Sequence, residues 1–244
     1  MSWSQRGRAF FAVIAVAAAT PCVAGEFSAS LVAASDYVEH GLTRSLGRPS
    51  LRAAAGWYGE RGFSLGVAAA TLNLNSGPGP AHELAMYVRQ SWRPHKDWHF
   101  GAALAYYDFG REPSRFFSYD YSELKLEAEW RELAKIEAGW SPDYSLFSAR
   151  GVGRERRAVS YQGSLRYPAT PRVSLAVGLG HYDLRDLFGT GYWFWSGGLE
   201  LRRGPTSVAI SYVGTDGTAQ NLFRNGAGGR VVAAIAWHPS GLGR

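Results

Sequence analysis

A strict alternation of polar and apolar side chains runs through the segment Tyr121-Ser122-Glu123-Leu124-Lys125-Leu126-Glu127-Ala128-Glu129-Trp130-Arg131. In an extended chain, one face would carry the leucines and Trp130, and the other face would carry every charged residue. A helix would spread the same charges around most of its circumference. The segment therefore predicts a β-strand with one apolar and one polar face.

The same two-residue period recurs from one end of the chain to the other. It predicts eleven further strands, at residues 27–38, 50–58, 63–73, 82–92, 98–108, 133–141, 158–167, 173–182, 192–202, 206–214 and 230–238. One face of each strand carries bulky apolar residues, whereas the opposite face is rich in Ser, Gly, Ala, Arg and Tyr. A two-sheet sandwich built from such strands would have a thin core.

The connections between these strands alternate between short and long. Short turns are expected at residues 59–62, 94–97, 131–132, 168–171 and 203–205, and longer polar connections at 39–49, 74–81, 109–120, 142–157, 183–191 and 215–229. An antiparallel meander with every long connection at one end is typical of an outer-membrane barrel. We therefore expect an all-β chain: one transmembrane up-and-down barrel of about 12 strands over residues 25–244, with short periplasmic turns and longer extracellular loops.

Tryptophans mark the expected membrane interface. Near the strand ends on the short-turn side we place Trp57, Trp92, Trp98, Trp130 and Trp140, as an interfacial aromatic girdle requires. The alternative is that they pack in the core of a soluble barrel. A soluble lipocalin-like barrel is disfavoured, because its apolar face should point inward around a ligand.

Residues 1–24 have the features of a secretory signal peptide. Arg6 and Arg8 precede an apolar stretch at residues 9–19, and small residues precede a cleavage site near Ala24. Removing this segment would take away the chain's one cysteine and, with the two arginines, lower the formal charge from +6 to +4. That charge is too weak and dispersed to indicate a nucleic-acid partner. We expect the mature protein to pass through the periplasm to the outer membrane.

The composition excludes several classes of protein. With 46% hydrophobic and 19% charged residues, the chain is too apolar to be disordered. One cysteine supports neither a disulfide framework nor a zinc–thiolate site, and the six histidines lack the spacing of metal ligands. No cofactor, no metal and no catalytic residue is expected.

Several short motifs resemble the TorF-type porin family of Gram-negative outer membranes. Ser35–Ser45, which begins Ser-Asp-Tyr-Val, is similar to that family's N-terminal segment, and Ser141–Tyr144 is similar to its Ser-Pro-Asp-Tyr element. Further similarity covers residues 106–109, 167–183 and 211–216, in the family's order. The resemblance implies an outer-membrane pore whose solute is not settled by the family's name. It implies no catalytic or cofactor residues.

The polar face of the strands supplies the candidate pore lining. Charges of both signs on facing strands set the field across a narrow pore and select solutes by charge and hydration. The inward candidates are Arg52, Glu83, Tyr87, Arg89, Glu123, Lys125, Glu127, Glu129, Lys135, Glu137, Gln162 and Arg166. We expect passive diffusion of small hydrophilic solutes through this mixed-charge lumen, without chemical reaction.

The same residue types also fit a sealed barrel, because buried charges require partners. Eight strands leave room only for side chains and sixteen leave an aqueous channel, so about twelve strands lie between these cases. The first alternative function is therefore a plugged structural or adhesive barrel that acts through its extracellular loops. A second alternative is an outer-membrane lipid hydrolase.

The long connections carry further candidates. Asp36-Tyr37 and Asp143-Tyr144 lie near strand ends, where their hydrogen bonds would brace loops at the pore mouth. An outer-loop basic cluster suited to the phosphates of lipopolysaccharide is formed by Arg150, Arg154, Arg156 and Arg157. The expected partners are thus outer-membrane lipid and lipopolysaccharide, small hydrophilic solutes and the barrel assembly machinery.

Overall fold

Twelve long strands form the framework of the protein. The structure, a computed structural model, describes residues 25–72, 82–109, 117–118, 120–144, 148–149 and 156–239. The long strands are β1 (Gly25–Ala34), β2 (Ser50–Gly59), β3 (Phe63–Thr71), β4 (His82–His95), β5 (Trp98–Phe109), β6 (Tyr121–Trp130), β7 (Ala134–Ser141), β8 (Ala158–Pro168), β9 (Val173–Leu184), β10 (Thr190–Arg203), β11 (Thr206–Thr215) and β12 (Arg230–Trp237). The predicted signal peptide lies outside the described residues.

Smaller elements lie in the connections. Two pairs of two-residue strands form in the long ones: Val38–Glu39 with Leu42–Thr43, and Phe117–Ser118 with Ser148–Ala149. The helices are α1 (Arg185–Phe188), α2 (Gly217–Phe223) and the 3-10 turns Glu60–Gly62 and Arg224–Gly226. The sequence predicted no helix; α2 forms because the Asp216 carboxylate accepts a hydrogen bond from the Ala219 amide at its N-terminus. Among the described residues, no helix is long and apolar enough to cross a membrane.

The twelve strands close into one antiparallel barrel, as predicted. Each strand pairs with its neighbours along the chain, and β1 also pairs with β12. This closing seam is short, since it runs only from Leu31, opposite Trp237, to Ala34, opposite Ala234. On its other side, β1 pairs with β2 along its whole length.

The barrel is apolar on the outside and polar on the inside. Outward-facing Leu104, Ile136 and Val231 expose 60% or more of their surface, whereas inward-facing Glu83 and Glu123 expose 5% or less. A soluble barrel would reverse this arrangement. The polarity is that of a barrel whose outer face lies in lipid.

Tryptophans lie at both ends of the outer face. At the short-turn end are Trp57, Trp92, Trp98, Trp130 and Trp237, and at the long-loop end are Trp140, Trp193 and Trp195. The predicted position of Trp140 was wrong, because β7 begins at a short turn and Trp140 is its next-to-last residue. Both ends therefore carry the aromatic residues that an interface favours.

Strand β1 ends earlier than predicted. It stops at Ala34 rather than residue 38, and the Ser35 amide still donates to the Ala233 carbonyl. Asp36 then leaves the wall, because its carboxylate takes hydrogen bonds from Ser45 and Gly47 farther along the chain. The connection predicted as an external loop at residues 39–49 instead turns into the barrel.

Candidate functional site

A ladder of charged side chains lines one side of the lumen. It consists of residues from three strands, β4, β6 and β7: Arg89, Glu123, Lys125, Glu127, Glu129, Lys135 and Glu137. Lys135 is 3.0 Å from Glu127 and 2.8 Å from Glu137, and Lys125 is 3.1 Å from Glu123. These contacts pair opposite charges within the barrel, and each partner offsets part of the cost of burying the other.

One ion pair of the charged ladder crosses an intervening strand. Arg89 on β4 pairs with Glu127 on β6, and Gly101 of β5 lies between them. A Cβ atom at position 101 would lie 2.8 Å from the Glu127 Oε1 atom and 3.0 Å from the Arg89 Nη2 atom. A side chain at this position would therefore require the ends of Arg89 and Glu127 to shift.

The opposite wall of the lumen, which we call the small-residue wall, carries mostly small, uncharged residues. Its small inward-facing residues on β9 to β12 are Ser174, Ala176, Gly178, Ser196, Gly198, Ser207, Ala209, Ser211, Ala234 and Ala236. Near the short turns this wall also carries the charged residues Glu200 and Arg202 of β10, which lie 3.2 Å apart. Away from this pair, a solute in the lumen would meet charges on one side and a mostly neutral surface on the other.

Two cavities lie on the short-turn side of the lumen. One of about 580 Å³ is lined by Arg52, Tyr87, Arg89, His99 and Lys125, among others. The second, of about 540 Å³, lies at the short-turn rim and is strongly basic. Its cationic lining residues are Arg93, Lys96, Arg131, Lys135, Arg166 and Arg202, beside the acidic Asp97, Glu129 and Glu132.

The remaining predicted lining residues lie at different heights. Arg166 is 3.0 Å from Glu200 near the short turns, and Gln162 projects from β8 opposite Glu137 of β7 in the strand register. Glu83 lies at the long-loop end of β4, where it is almost fully buried. The predicted lining residues thus do not form one ring.

Residues 35–49, which we call the inner hairpin, fold into the long-loop half of the lumen. The hairpin contacts wall strands on both sides of the barrel. The Tyr37 hydroxyl donates to Glu83 on β4 at 3.1 Å, and the Tyr192 hydroxyl on β10 donates to the His40 carbonyl at 3.1 Å. Because β4 and β10 lie on different sides of the ring of strands, the hairpin must cross the lumen.

An aromatic cluster fills the space around the inner hairpin. It comprises Tyr107, Phe109, Tyr121, Tyr144, Tyr182, Tyr192 and Phe194, all of them buried. The His40 ring lies 4.5 Å from the ring of Tyr182 and 5.6 Å from that of Phe194. The aromatic rings therefore pack against the hairpin as well as against one another.

Arg44 is the central charge of the inner hairpin. It forms an ion pair with Glu39 of the same hairpin and lies 4.0 Å from Glu83 on the wall. Its guanidinium also donates to the Tyr121 hydroxyl at 3.4 Å and lies 5.3 Å from the ring centre of Phe109. Burial alone would raise the pKa of Glu39, but Arg44 and other nearby cations hold it at about 2.

The two predicted Asp-Tyr pairs contribute to the site in different ways. The Asp36 carboxylate accepts hydrogen bonds within the inner hairpin and one from Arg230 of β12 at 3.1 Å. Asp143 accepts from the Ser122 amide at 2.8 Å and so joins the loop after β7 to the start of β6. Tyr144 packs within the aromatic cluster, 4.9 Å from the ring of Tyr121.

The described part of the predicted basic cluster contacts α1 and its flanking loop. Arg157 is 2.9 Å from Asp186, and Arg156 donates to the Leu187 carbonyl at 3.1 Å. Arg150 and Arg154 lie outside the described residues.

The sequence interpretation missed the inner hairpin and its aromatic surroundings. It treated residues 39–49 as a solvated connection and assigned no role to Glu39, His40 or Arg44. One available signal was the apolar content of this segment, with Val38, Leu42 and Leu46 in an otherwise polar loop. The partners on the wall carried no signal, since only the closed barrel brings them near.

No metal centre is formed by the residues that the structure describes, because they contain no group of three or more His, Cys, Asp or Glu side chains arranged to hold an ion. The candidate site is thus the lumen itself. It has a charged, a neutral and an aromatic zone, and the inner hairpin occupies its long-loop end.

A family model described as "Bacterial protein of unknown function (Gcw_chp)" matches residues 18–238 of the chain. No curated protein matches this chain. The similarity to TorF-type porins is neither supported nor opposed by these comparisons.

Solved structures of two porins share the fold. The structure described as "NanC porin structure in rhombohedral crystal form" superposes with a TM-score of 0.57 at 10% identity, covering 85% of this chain and 97% of that chain. The "KdgM porin" structure superposes with a TM-score of 0.54 at 8% identity, covering 86% of this chain and 98% of that chain. At such low identity, the likeness concerns the barrel fold alone.

Proposed function

Since the chain belongs to the Gcw_chp family of bacterial proteins of unknown function, we propose its function from the barrel: an outer-membrane channel through which small hydrophilic solutes diffuse passively. The observation that carries this proposal is the polarity of a closed twelve-stranded barrel, which is apolar outside and lined with charged and small residues inside. The apolar outer face suits contact with lipid, and the polar inner face suits contact with water.

We further propose how the protein reaches its membrane. Residues 1–24 are removed in the periplasm, the barrel assembly machinery inserts the protein into the outer membrane, and lipopolysaccharide then surrounds it. The resemblance of Ser35–Ser45 to TorF-type porins and the porin folds of the similar structures are in line with a channel. Selectivity would come from the charged ladder facing the small-residue wall.

Conductance of the purified protein in a planar lipid bilayer, with a salt gradient across it, tests this function. We expect ion currents whose selectivity depends on the Arg89–Glu127 pair. Glu127→Gln leaves Arg89 and Lys135 without this carboxylate and should shift the reversal potential toward anions. Arg89→Gln should shift it toward cations. Arg172→Gln is the matched control, because Arg172 is exposed in the turn between β8 and β9 and should leave the potential unchanged.

Two outcomes would contradict parts of this proposal. An unchanged reversal potential in both ladder variants would contradict the role of the charged ladder in selectivity. Silence from a folded, heat-modifiable barrel, both in the parent protein and after the inner hairpin has been loosened by Arg44→Ala, would contradict the channel itself.

A second candidate, a sealed barrel that acts through its loops, is favoured by one observation: the inner hairpin and the aromatic cluster occupy the long-loop half of the lumen. Lys125→Cys and Glu127→Cys distinguish the two candidates, because the chain's one native cysteine lies in the predicted signal peptide. A small thiol reagent should modify both cysteines in whole cells if the lumen is open to water. Protection of both would favour the sealed barrel.

A further inference from the structure

The inner hairpin keeps its shape through its own bonds. The two residues of its turn, His40 and Gly41, have φ values of 49° and 78°, and positive φ at both positions is what a tight type I′ hairpin turn requires. The Asp36 carboxylate accepts hydrogen bonds from Thr43 and from Ser45, at 2.7 Å for Ser45. The hairpin can therefore move without losing its internal structure.

Its attachment to the wall is made by side chains. Hydrogen bonds join it to β4, β6, β10 and β12. Among the described residues, the two short strands of the hairpin pair only with each other and not with a strand of the barrel. Undocking would thus break side-chain hydrogen bonds and packing contacts with the aromatic cluster, and it would leave every ladder of the barrel intact.

Both ends of the hairpin are fixed at the long-loop rim. At one end, the Ser35 amide donates to the Ala233 carbonyl at 2.8 Å, and the Ala233 amide donates to the Ser35 hydroxyl at 3.0 Å. At the other end, the Ser50 hydroxyl donates to the Thr71 carbonyl at 2.7 Å. These two points allow rotation of the segment between them away from the lumen.

We propose that the inner hairpin is the gate of the channel. Docked, it closes the long-loop half of the lumen together with the aromatic cluster; released, it swings out as a unit about Ser35 and Ser50 and connects the cavities on the short-turn side to the opposite mouth. This inference rests on the proposed channel function and adds the element that controls it.

Arg44 is the latch of this gate. It is the hairpin residue whose charge contacts the wall on two strands, through Glu83 on β4 and Tyr121 on β6. Its loss would leave Glu83 buried without that cation, and such an unpaired buried charge is costly. Arg44→Ala should therefore favour the released state.

A reversible covalent lock tests the gate most directly. The Tyr37 hydroxyl of the hairpin lies 3.1 Å from the Glu83 carboxylate on β4, so cysteines at these two positions would face each other across the gap that the two side chains now fill. A bifunctional methanethiosulfonate reagent with a short spacer can bridge the pair Tyr37→Cys and Glu83→Cys through disulfides that a reductant cleaves. We expect the cross-linked double variant to be closed and the same protein to conduct once it is reduced. Each single cysteine variant, treated in the same way, should not be closed by the reagent.

Arg44→Ala provides the opposite test. Because this variant loses hydrogen bonds to a charged group, it should raise the ratio of open to closed channels by about tenfold, whereas Arg172→Ala should leave that ratio unchanged.

Chemical modification of Ser196→Cys, on the small-residue wall, measures the same motion without any current. A bulky thiol reagent added from the long-loop side should modify it faster in the Arg44→Ala background than with Arg44 present.

The outcomes separate the gate from the channel. If the double cysteine variant conducts equally in the cross-linked and reduced states, the gate is wrong and the channel stands. If no variant conducts but Arg44→Ala speeds modification of Ser196→Cys, the hairpin moves and the channel function fails. Equal modification rates in both backgrounds would overturn the gate.

Discussion

Two residues of the inner hairpin show how single side chains direct the chain into the lumen. The chain leaves the wall at Asp36, where the hydrogen bonds of a continued strand are absent. The Asp36 carboxylate instead accepts hydrogen bonds from Ser45, Gly47 and Arg230. Gly41 lies where a Cβ would be 2.6 Å from the Cβ of Phe194, so the hairpin packs this closely because the turn has no side chain there.

At the residue scale, His40 makes hairpin docking sensitive to pH. Burial lowers the pKa of His40 from 6.5 to about 4, although Glu39 opposes this. Between these two values the released ring binds a proton and the docked ring does not, so stability of the docked state falls as pH falls. We expect release of the hairpin to increase from about pH 6.5 to pH 4, with full docking above that range.

Modification of Ser196→Cys over this range of pH measures the effect, with His40→Gln as the comparison. The charged groups around the ring are Glu39, Arg44, Lys125 on β6 and Glu137 on β7. His40→Gln should flatten the pH profile because glutamine does not titrate. An unchanged profile would assign the effect to one of the neighbouring carboxylates instead.

At the scale of the strand, β6 illustrates the division between lipid and lumen. Leu126 exposes 51% of its surface on the outer face, while its neighbours Lys125 and Glu127 point inward to the charged ladder. The alternation that defined this strand in the sequence therefore also separates the two solvents. A shift of register by one residue would place its charges in lipid.

Substitution of a mid-strand outward residue tests this division. We expect Leu126→Lys to lower the free energy of unfolding by about 2–4 kcal/mol, the usual cost of a lysine facing the middle of a bilayer. Ser196→Lys introduces the same charge on an inward position of β10 and should cost far less. Urea unfolding in lipid vesicles measures both. Equal costs would mean that the outer face does not lie in hydrocarbon.

For the whole molecule, closure of the barrel is uneven. Strand β12 covers β1 only from Leu31 to Ala34, so the segment Gly25–Ser30 has one paired edge, with β2, and one edge without a partner among the described residues. Unpaired backbone groups are not tolerated in hydrocarbon. This end of β1 should therefore project into water beyond the short-turn rim.

Hydrogen exchange followed by mass spectrometry checks this position. We expect roughly half of the amides in Gly25–Ser30 to exchange rapidly, because alternate amides of a strand point to opposite edges. Peptides from β2, which is paired on both sides, should be protected and serve as the internal comparison. Full protection of Gly25–Ser30 would show that another segment completes the seam.

Much of the architecture could be predicted from local pattern. The twelve strands and the alternation of short and long connections follow from a two-residue period and its interruptions, which are properties of neighbouring residues. The errors are also local in origin. The end of β1 was extended to residue 38 because periodicity does not show where a chain leaves the wall. The error at Trp140 needed no tertiary information to avoid, since the predicted strand 133–141 already begins at a short turn.

The sequence by itself determined the barrel, its outward apolar face and the charges available to its lumen, because each depends on which residues alternate along one strand. Only the tertiary structure decided that residues 35–49 enter the lumen. The hairpin's hydrogen bonds join Tyr37 to Glu83, Arg44 to Tyr121 and His40 to Tyr192, which are 46, 77 and 152 positions apart. Contacts of such separation form only after the strands have closed, so no local pattern encodes them.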